Sequence, residues 1–272
     1  MYLEHWRLNR KPFGPVDDPG LFYPGQSHQS AMLKLRYVLD EGREAAALAG
    51  PAGVGKTLLV DRLADESDDN TLITRIVFPR LNSRELLTLL ADESGAPRPE
   101  APRFTSDESL TRLRVRLDEL AAAGKRLLVV VDEAHLLEDS DTLETLRLLL
   151  NLNGPKHRPL SLLLVGQMPL ISTLLRTPGL DQRLAVKALV RSLVEDETDE
   201  YIGHRLAACG GAEEIFTRDA VRSIHACSGG APRKIDRLCD MALLVGYAEG
   251  RARITAEQIE AVNEELMVST PD

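Results

Sequence analysis

The sequence predicts an α/β protein in which a five-stranded parallel sheet is flanked by helices and followed by a small all-helical domain. Strand and helix patterns alternate over about the first 190 residues, which is typical of successive βαβ units. Residues 127–131 are apolar at every position and residues 160–165 nearly so, as expected for central strands that helices cover on both faces. Beyond residue 193 only helical patterns remain.

Apolar spacing and capping residues place the individual elements. The expected strands are residues 44–49, 71–78, 127–131, 160–165 and 184–190, of which the first is alanine-rich and therefore weak by propensity. The expected helices of the sheet domain are residues 30–39, 57–66, 83–93, a helix from the capping-box pattern at Thr105 to the stop at Gly124, 143–150 and 170–176. The helical domain is expected to contain helices at 195–208, 217–227, 232–249 and 255–267.

These elements divide the chain into three parts. Residues 1–30 are rich in Pro, Gly and aromatic side chains, which predicts an ordered arm that packs on the core of the α/β domain. Residues 31–193 form the α/β domain, and residues 194–272 form the helical domain.

Length and composition indicate a folded globular protein. The 272 residues are 43% hydrophobic and 28% charged, a globular mixture that excludes disorder and fibrous repeats. The net charge of −9 argues against strong nonspecific binding to nucleic acid or to an anionic membrane. We expect neither an export leader nor a membrane span. Cys209, Cys227 and Cys239 include no CxxC pair, so we expect reduced thiols in a cytoplasmic protein.

The strongest local signal is a G-x-x-x-x-G-K-T pattern between a predicted strand and a predicted helix. It consists of Gly50, Pro51, Ala52, Gly53, Val54, Gly55, Lys56 and Thr57. The glycines allow the loop to curl so that backbone N–H groups face a phosphate chain. Lys56 is then expected to reach the β- and γ-phosphate oxygens, and Thr57 to hold Mg²⁺. The loop therefore predicts a nucleoside triphosphate site.

Two acidic residues follow the predicted strand at 127–131. Asp132 and Glu133 are expected at the carboxyl edge of the sheet, where open parallel sheets bind their ligands. Asp132 is expected to bind Mg²⁺ through its water shell, and Glu133 to orient a water for in-line attack on the γ-phosphate. His135 completes the letters Asp-Glu-Ala-His, but we expect no second motor half of a helicase and interpret it as a histidine at a helix start.

Three further polar residues are candidates for contact with a triphosphate. Gln167 follows the strand at 160–165, where its amide either lies beside the γ-phosphate or caps the next helix. Arg183 precedes the fifth strand and either reaches the nucleotide of a neighbouring subunit or forms a surface ion pair. Arg233 lies in the first turn of a helix, where the helix dipole opposes a cation, so we expect a phosphate as its partner.

These residues resemble those of an AAA+ ATPase, and more narrowly those of the general secretion pathway protein A family of ExeA-like ATPases. The resemblance extends over nearly the whole chain. It is carried by residues 1–6, 11–13, 18–19, 22–23, 28, 50–57, 132–134, 143–152, 164–167, 201–206, 215–217, 228–233 and 238–240.

The resemblance implies ATP and Mg²⁺ as the bound cofactors. Lys56 and Thr57 match the phosphate and Mg²⁺ contacts of a Walker A motif, and Asp132 and Glu133 match the Walker B pair. These four residues are the expected centre of ATP binding and hydrolysis.

The resemblance also assigns the outlying polar residues. Gln167 matches sensor one, Arg233 matches sensor two, and Arg183 is the arginine-finger candidate. Asp181 stands where this family commonly has a second basic residue.

The aromatic arm resembles the segment that covers adenine in related enzymes. Its residues Phe13, Tyr23 and His28 are candidates for that contact, with simple packing on the core as the alternative. Members of the family commonly carry a membrane span and a peptidoglycan-binding module after the ATPase; we expect neither here, and hence no direct role at the cell wall.

The expected function is that of an ATP-hydrolysing switch that oligomerises through its nucleotide interface and drives or licenses assembly of a larger complex. The resemblance points to secretion or pilus biogenesis, while the sequence does not name the protein partner. One alternative is a DNA-associated ATPase of transposition or replication-initiator type, because Arg112, Arg114 and Arg116 cluster on one segment. The acidic net charge disfavours DNA. A second alternative is a nucleotide-binding scaffold that never hydrolyses.

Overall fold

The computed structural model describes residues 2–14, 19–77, 81–98, 105–137, 140–154, 159–211 and 213–268. The chain forms two compact units. The α/β unit comprises Gln29–Gly50 and Lys56–Val190, and the helical unit comprises Met1–His28, Pro51–Gly55 and Arg191–Asp272. The chain therefore passes from one unit to the other and back within the glycine-rich loop.

The α/β unit is built on a parallel sheet, as predicted. Within the described residues its five strands are β1 (Ala45–Ala49), β2 (Thr71–Ile76), β3 (Arg126–Val131), β4 (Leu160–Gly166) and β5 (Leu184–Leu189). Their order across the sheet is β2-β3-β4-β1-β5, and each neighbouring pair is parallel. β4 thus lies between the strand that leads into the glycine-rich loop and the strand that leads into Asp132. The expected strand at 71–78 ends at Ile76, and Phe78 lies outside the described residues.

Helices connect the strands of this unit. They are α1 (Gln26–Asp40), which begins in the helical unit, α2 (Lys56–Glu66), α3 (Ser83–Glu93), α4 (Ser106–Ala122), α5 (Ser140–Leu149), α6 (Pro169–Leu175) and α7 (Pro178–Asp181). At α4 the Thr105 hydroxyl accepts a hydrogen bond from the Glu108 N–H, as the capping pattern predicted. Gly124 follows that helix with a positive φ of 68°, a conformation that glycine adopts without strain.

Burial and strand pairing explain why the alanine-rich β1 is a central strand although alanine has a low strand propensity. All five residues of β1 are buried, and β1 pairs with β4 on one side and β5 on the other. Its neighbours, rather than the propensity of alanine, therefore determine its conformation.

The helical unit contains α8 (Glu195–Ala207), α9 (Arg218–Ser228), α10 (Pro232–Ala248) and α11 (Ala256–Val268). Its apolar core also includes the arm residues Tyr2, Trp6, Leu8 and Phe13. This differs from the packing on the α/β core that we expected for the arm. The physical reason is size, since a small helical unit encloses little apolar volume and the aromatic side chains of the arm complete its core.

Polar contacts fix the arm to the helical unit. The indole N–H of Trp6 donates to the Leu243 carbonyl at 2.9 Å, and the Tyr2 hydroxyl donates to Asp240. The fully buried guanidinium of Arg205 donates to the carbonyls of Pro12 and Gly14. Buried donors of this kind stabilise a structure only where they are paired, so these bonds specify one position for the arm.

Cys209 and Cys239 are buried, Cys227 is partly buried, and all three are free thiols. In the described part of the chain, no helix combines the length and the apolar character that crossing a bilayer requires.

Candidate nucleotide-binding site

The glycine-rich loop ends at the first turn of α2, which begins with Lys56 and Thr57. The Lys56 side chain is buried, and its ammonium donates a hydrogen bond to the Gly50 carbonyl at 3.0 Å. A positive charge therefore lies at the amino end of a helix, where the helix dipole adds to the potential that attracts anions. The phosphate site expected at this position stays a prediction.

Thr57 and Asp132 come together within the α/β unit. The Thr57 hydroxyl oxygen lies 3.4 Å from Asp132 Oδ2. Asp132 follows β3 and is held by its backbone N–H, which donates to the Ile76 carbonyl at 2.8 Å. A hydroxyl and a carboxylate are the hard oxygen ligands that Mg²⁺ prefers, so the residues present fit this cation.

Arg75 is a member of this cluster that the sequence analysis missed. It lies near the end of β2, and its guanidinium donates to Asp132 Oδ2 and to Asp61 Oδ1, each at 2.7 Å. A cation thus already contacts the carboxylate oxygen that faces Thr57. One signal was available in the sequence, because an arginine near the end of an otherwise β-branched and apolar strand needs an acidic partner there.

Glu133 occupies an unusual backbone conformation immediately after Asp132. Its φ of 51° and ψ of 32° lie in the left-handed region, which non-glycine residues rarely adopt. The carboxylate is about half exposed, and its Oε2 lies 3.2 Å from the Nδ1 of His135. Strained residues of this kind concentrate at functional sites.

His135 links Glu133 to the end of β4. It lies in a 3-10 turn formed by Ala134–Leu136, consistent with its interpretation as a histidine at a helix start. The Gln167 backbone N–H donates to the same Nδ1 at 3.3 Å. A Cβ at Gly166 would lie only 3.0 Å from the His135 backbone nitrogen, so glycine permits this close approach. The residue after β4 is thereby placed beside the acidic pair.

Arg183 has partners within the α/β unit. Its guanidinium donates to the Asn151 side chain and lies 3.9 Å from a Glu44 carboxylate oxygen. These contacts match the surface ion-pair interpretation of Arg183, and its contact with a neighbouring subunit stays a prediction.

In the helical unit, two residues contact the glycine-rich loop. The Arg233 backbone N–H, in the first turn of α10, donates to the Gly53 carbonyl at 3.2 Å. Gly53 has a φ of 75°, and a Cβ there would lie 3.0 Å from the Arg233 Cβ, so glycine is required. The His28 side chain is buried, with its Nε2 2.7 Å from the Val54 carbonyl oxygen.

The aromatic residues of the arm differ in their surroundings. Phe13 is buried in the core of the helical unit, with its ring edge-on to Phe216 at 6.1 Å between centroids. The structure thus corrects its assignment to an adenine pocket, because a side chain enclosed by the core leaves no face for a base. Tyr23 is partly buried, with its hydroxyl on Glu200 and its ring 5.9 Å from that of Tyr201.

Of the three arginines that suggested DNA binding, two donate hydrogen bonds to other residues of the protein. Arg112 is buried and donates to Asp92 at 2.6 Å and to the Pro97 carbonyl at 2.9 Å. The hydrogen bond from Arg112 holds the pKa of Asp92 below its usual range. Arg116 donates to the Ser94 carbonyl at 2.9 Å, and only Arg114 of the three is exposed. Two of the arginines therefore join α4 to α3 and its following turn instead of forming a basic surface.

Comparison with known proteins identifies the family to which the chain belongs. A family model described as an AAA domain matches residues 39–174, half of the chain. General secretion pathway protein A of Aeromonas hydrophila is 35% identical over 262 residues, which are 93% of this chain and 46% of that protein. The chain thus spans about half the length of this relative.

Solved structures share the fold at low identity. The Aeropyrum pernix ORC2 protein in ADPNP–ADP complexes aligns over 97% of this chain and 73% of its own, with a TM-score of 0.67 and 19% identity. The Aeropyrum pernix ORC1 protein in complex with DNA aligns over 94% and 69%, with a TM-score of 0.68 and 18% identity. Together with the family match, these findings show that the protein belongs to the AAA domain family and has the fold of a P-loop AAA+ ATPase.

Proposed function

We propose that the protein binds ATP with Mg²⁺ and hydrolyses it to ADP and phosphate. The observation that carries the proposal is the approach of Thr57 to Asp132, 3.4 Å apart, beside the buried Lys56 at the start of α2. Lys56 neutralises phosphate charge, and Thr57 and Asp132 hold the cation. When bound, Mg²⁺ would supply charge neutralisation on the phosphate oxygens.

Glu133 is the residue that we assign to the chemical step. Its half-exposed carboxylate accepts a hydrogen bond from a water and orients the water oxygen in line with the γ-phosphorus. As the new P–O bond forms, the bond to the β,γ-bridging oxygen breaks and ADP leaves with that electron pair, while a proton of the attacking water passes to the Glu133 carboxylate and from there to solvent. In this proposal Gln167 senses the γ-phosphate, and its backbone N–H donates to His135, whose Nδ1 lies 3.2 Å from Glu133 Oε2.

A direct test compares phosphate release and nucleotide binding in the unaltered protein, Lys56→Ala and the control Lys125→Ala. Lys125 is an exposed lysine that follows α4. The proposal predicts that Lys56→Ala loses both nucleotide binding and phosphate release, while Lys125→Ala behaves as the unaltered protein. Equal turnover in all three proteins would contradict the assignment.

We further propose that ATP binding drives assembly of this cytoplasmic protein into a homo-oligomer that acts on a larger complex. The name of the Aeromonas hydrophila relative, general secretion pathway protein A, points to secretion, and the ORC2 protein with the same fold forms nucleotide complexes. In this proposal Arg233 senses the nucleotide and Arg183 acts as an arginine finger. The Glu133→Gln variant with ATP, sized by light scattering, should form a larger particle than the ADP-bound protein, and a monomer in both states would contradict it.

A further inference from the structure

We propose that His28 is a positioning residue that sets the direction of peptide groups in the glycine-rich loop, and does not contact adenine. This inference rests on the proposed binding of a nucleoside triphosphate. It concerns Val54 and Gly55, whose backbone N–H groups belong to the part of the loop that curls around phosphate.

Two consecutive carbonyls of the loop are held by other parts of the helical unit. The Gly53 carbonyl accepts from the Arg233 backbone N–H at 3.2 Å, and the Val54 carbonyl lies 2.7 Å from His28 Nε2. A trans peptide is planar, and its N–H points opposite to its C=O. The bonds therefore direct the Val54 and Gly55 N–H groups away from Arg233 and His28. Both groups are thus oriented before a ligand arrives, which lowers the entropic cost of binding.

The chemistry of His28 fits this role better than contact with a base. A carbonyl oxygen only accepts hydrogen bonds, so Nε2 must carry the proton and Nδ1 the lone pair. Burial lowers the pKa of His28, which keeps the ring neutral in this tautomer. Nδ1 is buried, and a Cβ at Gly25 would lie 3.2 Å from it. The single donor of the imidazole is therefore committed to the loop, and its acceptor is enclosed by the protein.

The test uses three probes that share phosphates and differ in the base: ATP, GTP and inorganic tripolyphosphate, each measured by calorimetry with the whole chain. His28→Phe retains a ring of similar size and lacks the donor. We expect it to weaken binding of all three probes by a similar factor, about tenfold, so that the ratio of ATP to GTP affinity is unchanged. Loss of ATP affinity with unchanged tripolyphosphate affinity would overturn the inference in favour of adenine contact.

Two amide variants keep the test decisive even where His28→Phe fails to fold. His28→Gln presents an N–H at a reach similar to that of Nε2, whereas His28→Asn is one methylene shorter. We expect tripolyphosphate affinity close to that of the unaltered protein in His28→Gln and a loss in His28→Asn. Equal affinities in the two variants would overturn the role of His28. Failure of the unaltered protein to bind any probe would instead contradict the proposed function.

Discussion

The Thr57 hydroxyl lies 3.4 Å from Asp132 Oδ2, although 75 residues separate the two in the chain. Their approach follows from the sheet order, because parallel strands end at one edge and deliver the residues that follow them to the same place. An alcohol and a carboxylate at this edge form one oxygen-rich site, and Lys56 supplies charge beside it.

Replacing Thr57 by Val removes the hydroxyl and keeps the shape of the side chain. We expect ATP affinity in the presence of Mg²⁺ to fall about tenfold or more, because the hydroxyl that holds the cation is lost. Affinity in EDTA should change little. Calorimetric titrations with and without Mg²⁺ measure both values, and Thr57→Ser serves as the control that retains the oxygen. A loss that is equal in EDTA and Mg²⁺ would contradict a role for Thr57 in holding the cation.

Arg75 places a positive charge 2.7 Å from Asp132 Oδ2. A fixed cation at this distance competes with Mg²⁺ for the carboxylate, so Arg75→Met should reduce the Mg²⁺ concentration needed for half-maximal ATP binding by about tenfold. Titration of Mg²⁺ at constant ATP, followed by fluorescence of a labelled nucleotide, measures this value. Arg75→Lys retains the charge and is the matched control. An unchanged or higher Mg²⁺ requirement in Arg75→Met would show that Arg75 does not compete.

The difference between Thr57 and Arg75 shows how far the sequence alone predicts the site. Thr57 belongs to a motif with fixed spacing, and its approach to Asp132 was predictable because both residues follow strands that end at the same edge of a parallel sheet. Arg75 carries no motif, and its pairing with Asp132 and Asp61 depends on the register of β2 beside β3. The sequence indicates that Arg75 needs an acidic partner, but register and side-chain direction decide which carboxylates it contacts.

The same limit applies to the fold. The apolar runs of β3 and β4 and the capping residue of α4 predicted their elements, since local chemistry determines them. The sequence did not predict which of the two hydrophobic cores the arm joins, because Trp6 and Phe13 are apolar enough for either core. Nor was the burial of Arg112, which depends on the carboxylate of Asp92 on the neighbouring helix.

Asp236 makes the stability of the helical unit depend on pH. Burial raises its pKa from 3.8 to about 6, with Tyr201, Arg205 and Asp240 as its titratable or charged neighbours. Since the folded pKa lies above the unfolded one, the stabilisation is complete below about pH 4 and is lost as pH rises through 6. Asp236→Asn should lack this loss, which amounts to at most about 3 kcal/mol. Urea unfolding at several pH values measures it, and parallel profiles for the two proteins would contradict the expectation.

Arg183 gives a test of subunit contact. If it reaches the nucleotide of a neighbour, Arg183→Ala should reduce hydrolysis at least about 100-fold with little change in ATP affinity. A mixture of Arg183→Ala with Lys56→Ala should then recover activity, because one variant supplies the intact loop and the other the arginine. Phosphate release from the mixture measures this recovery. A mixture as inactive as its components would show that Arg183 serves only its partners Asn151 and Glu44.

In the proposed mechanism Glu133 orients the attacking water while other residues bind the nucleotide. The most direct measurement is the rate of phosphate release and the ATP affinity of Glu133→Gln, with Glu41→Gln, at an exposed turn after α1, as the matched control. We expect Glu133→Gln to release phosphate at least about 100-fold more slowly with its ATP affinity preserved. Hydrolysis by Glu133→Gln at the rate of the unaltered protein would contradict it.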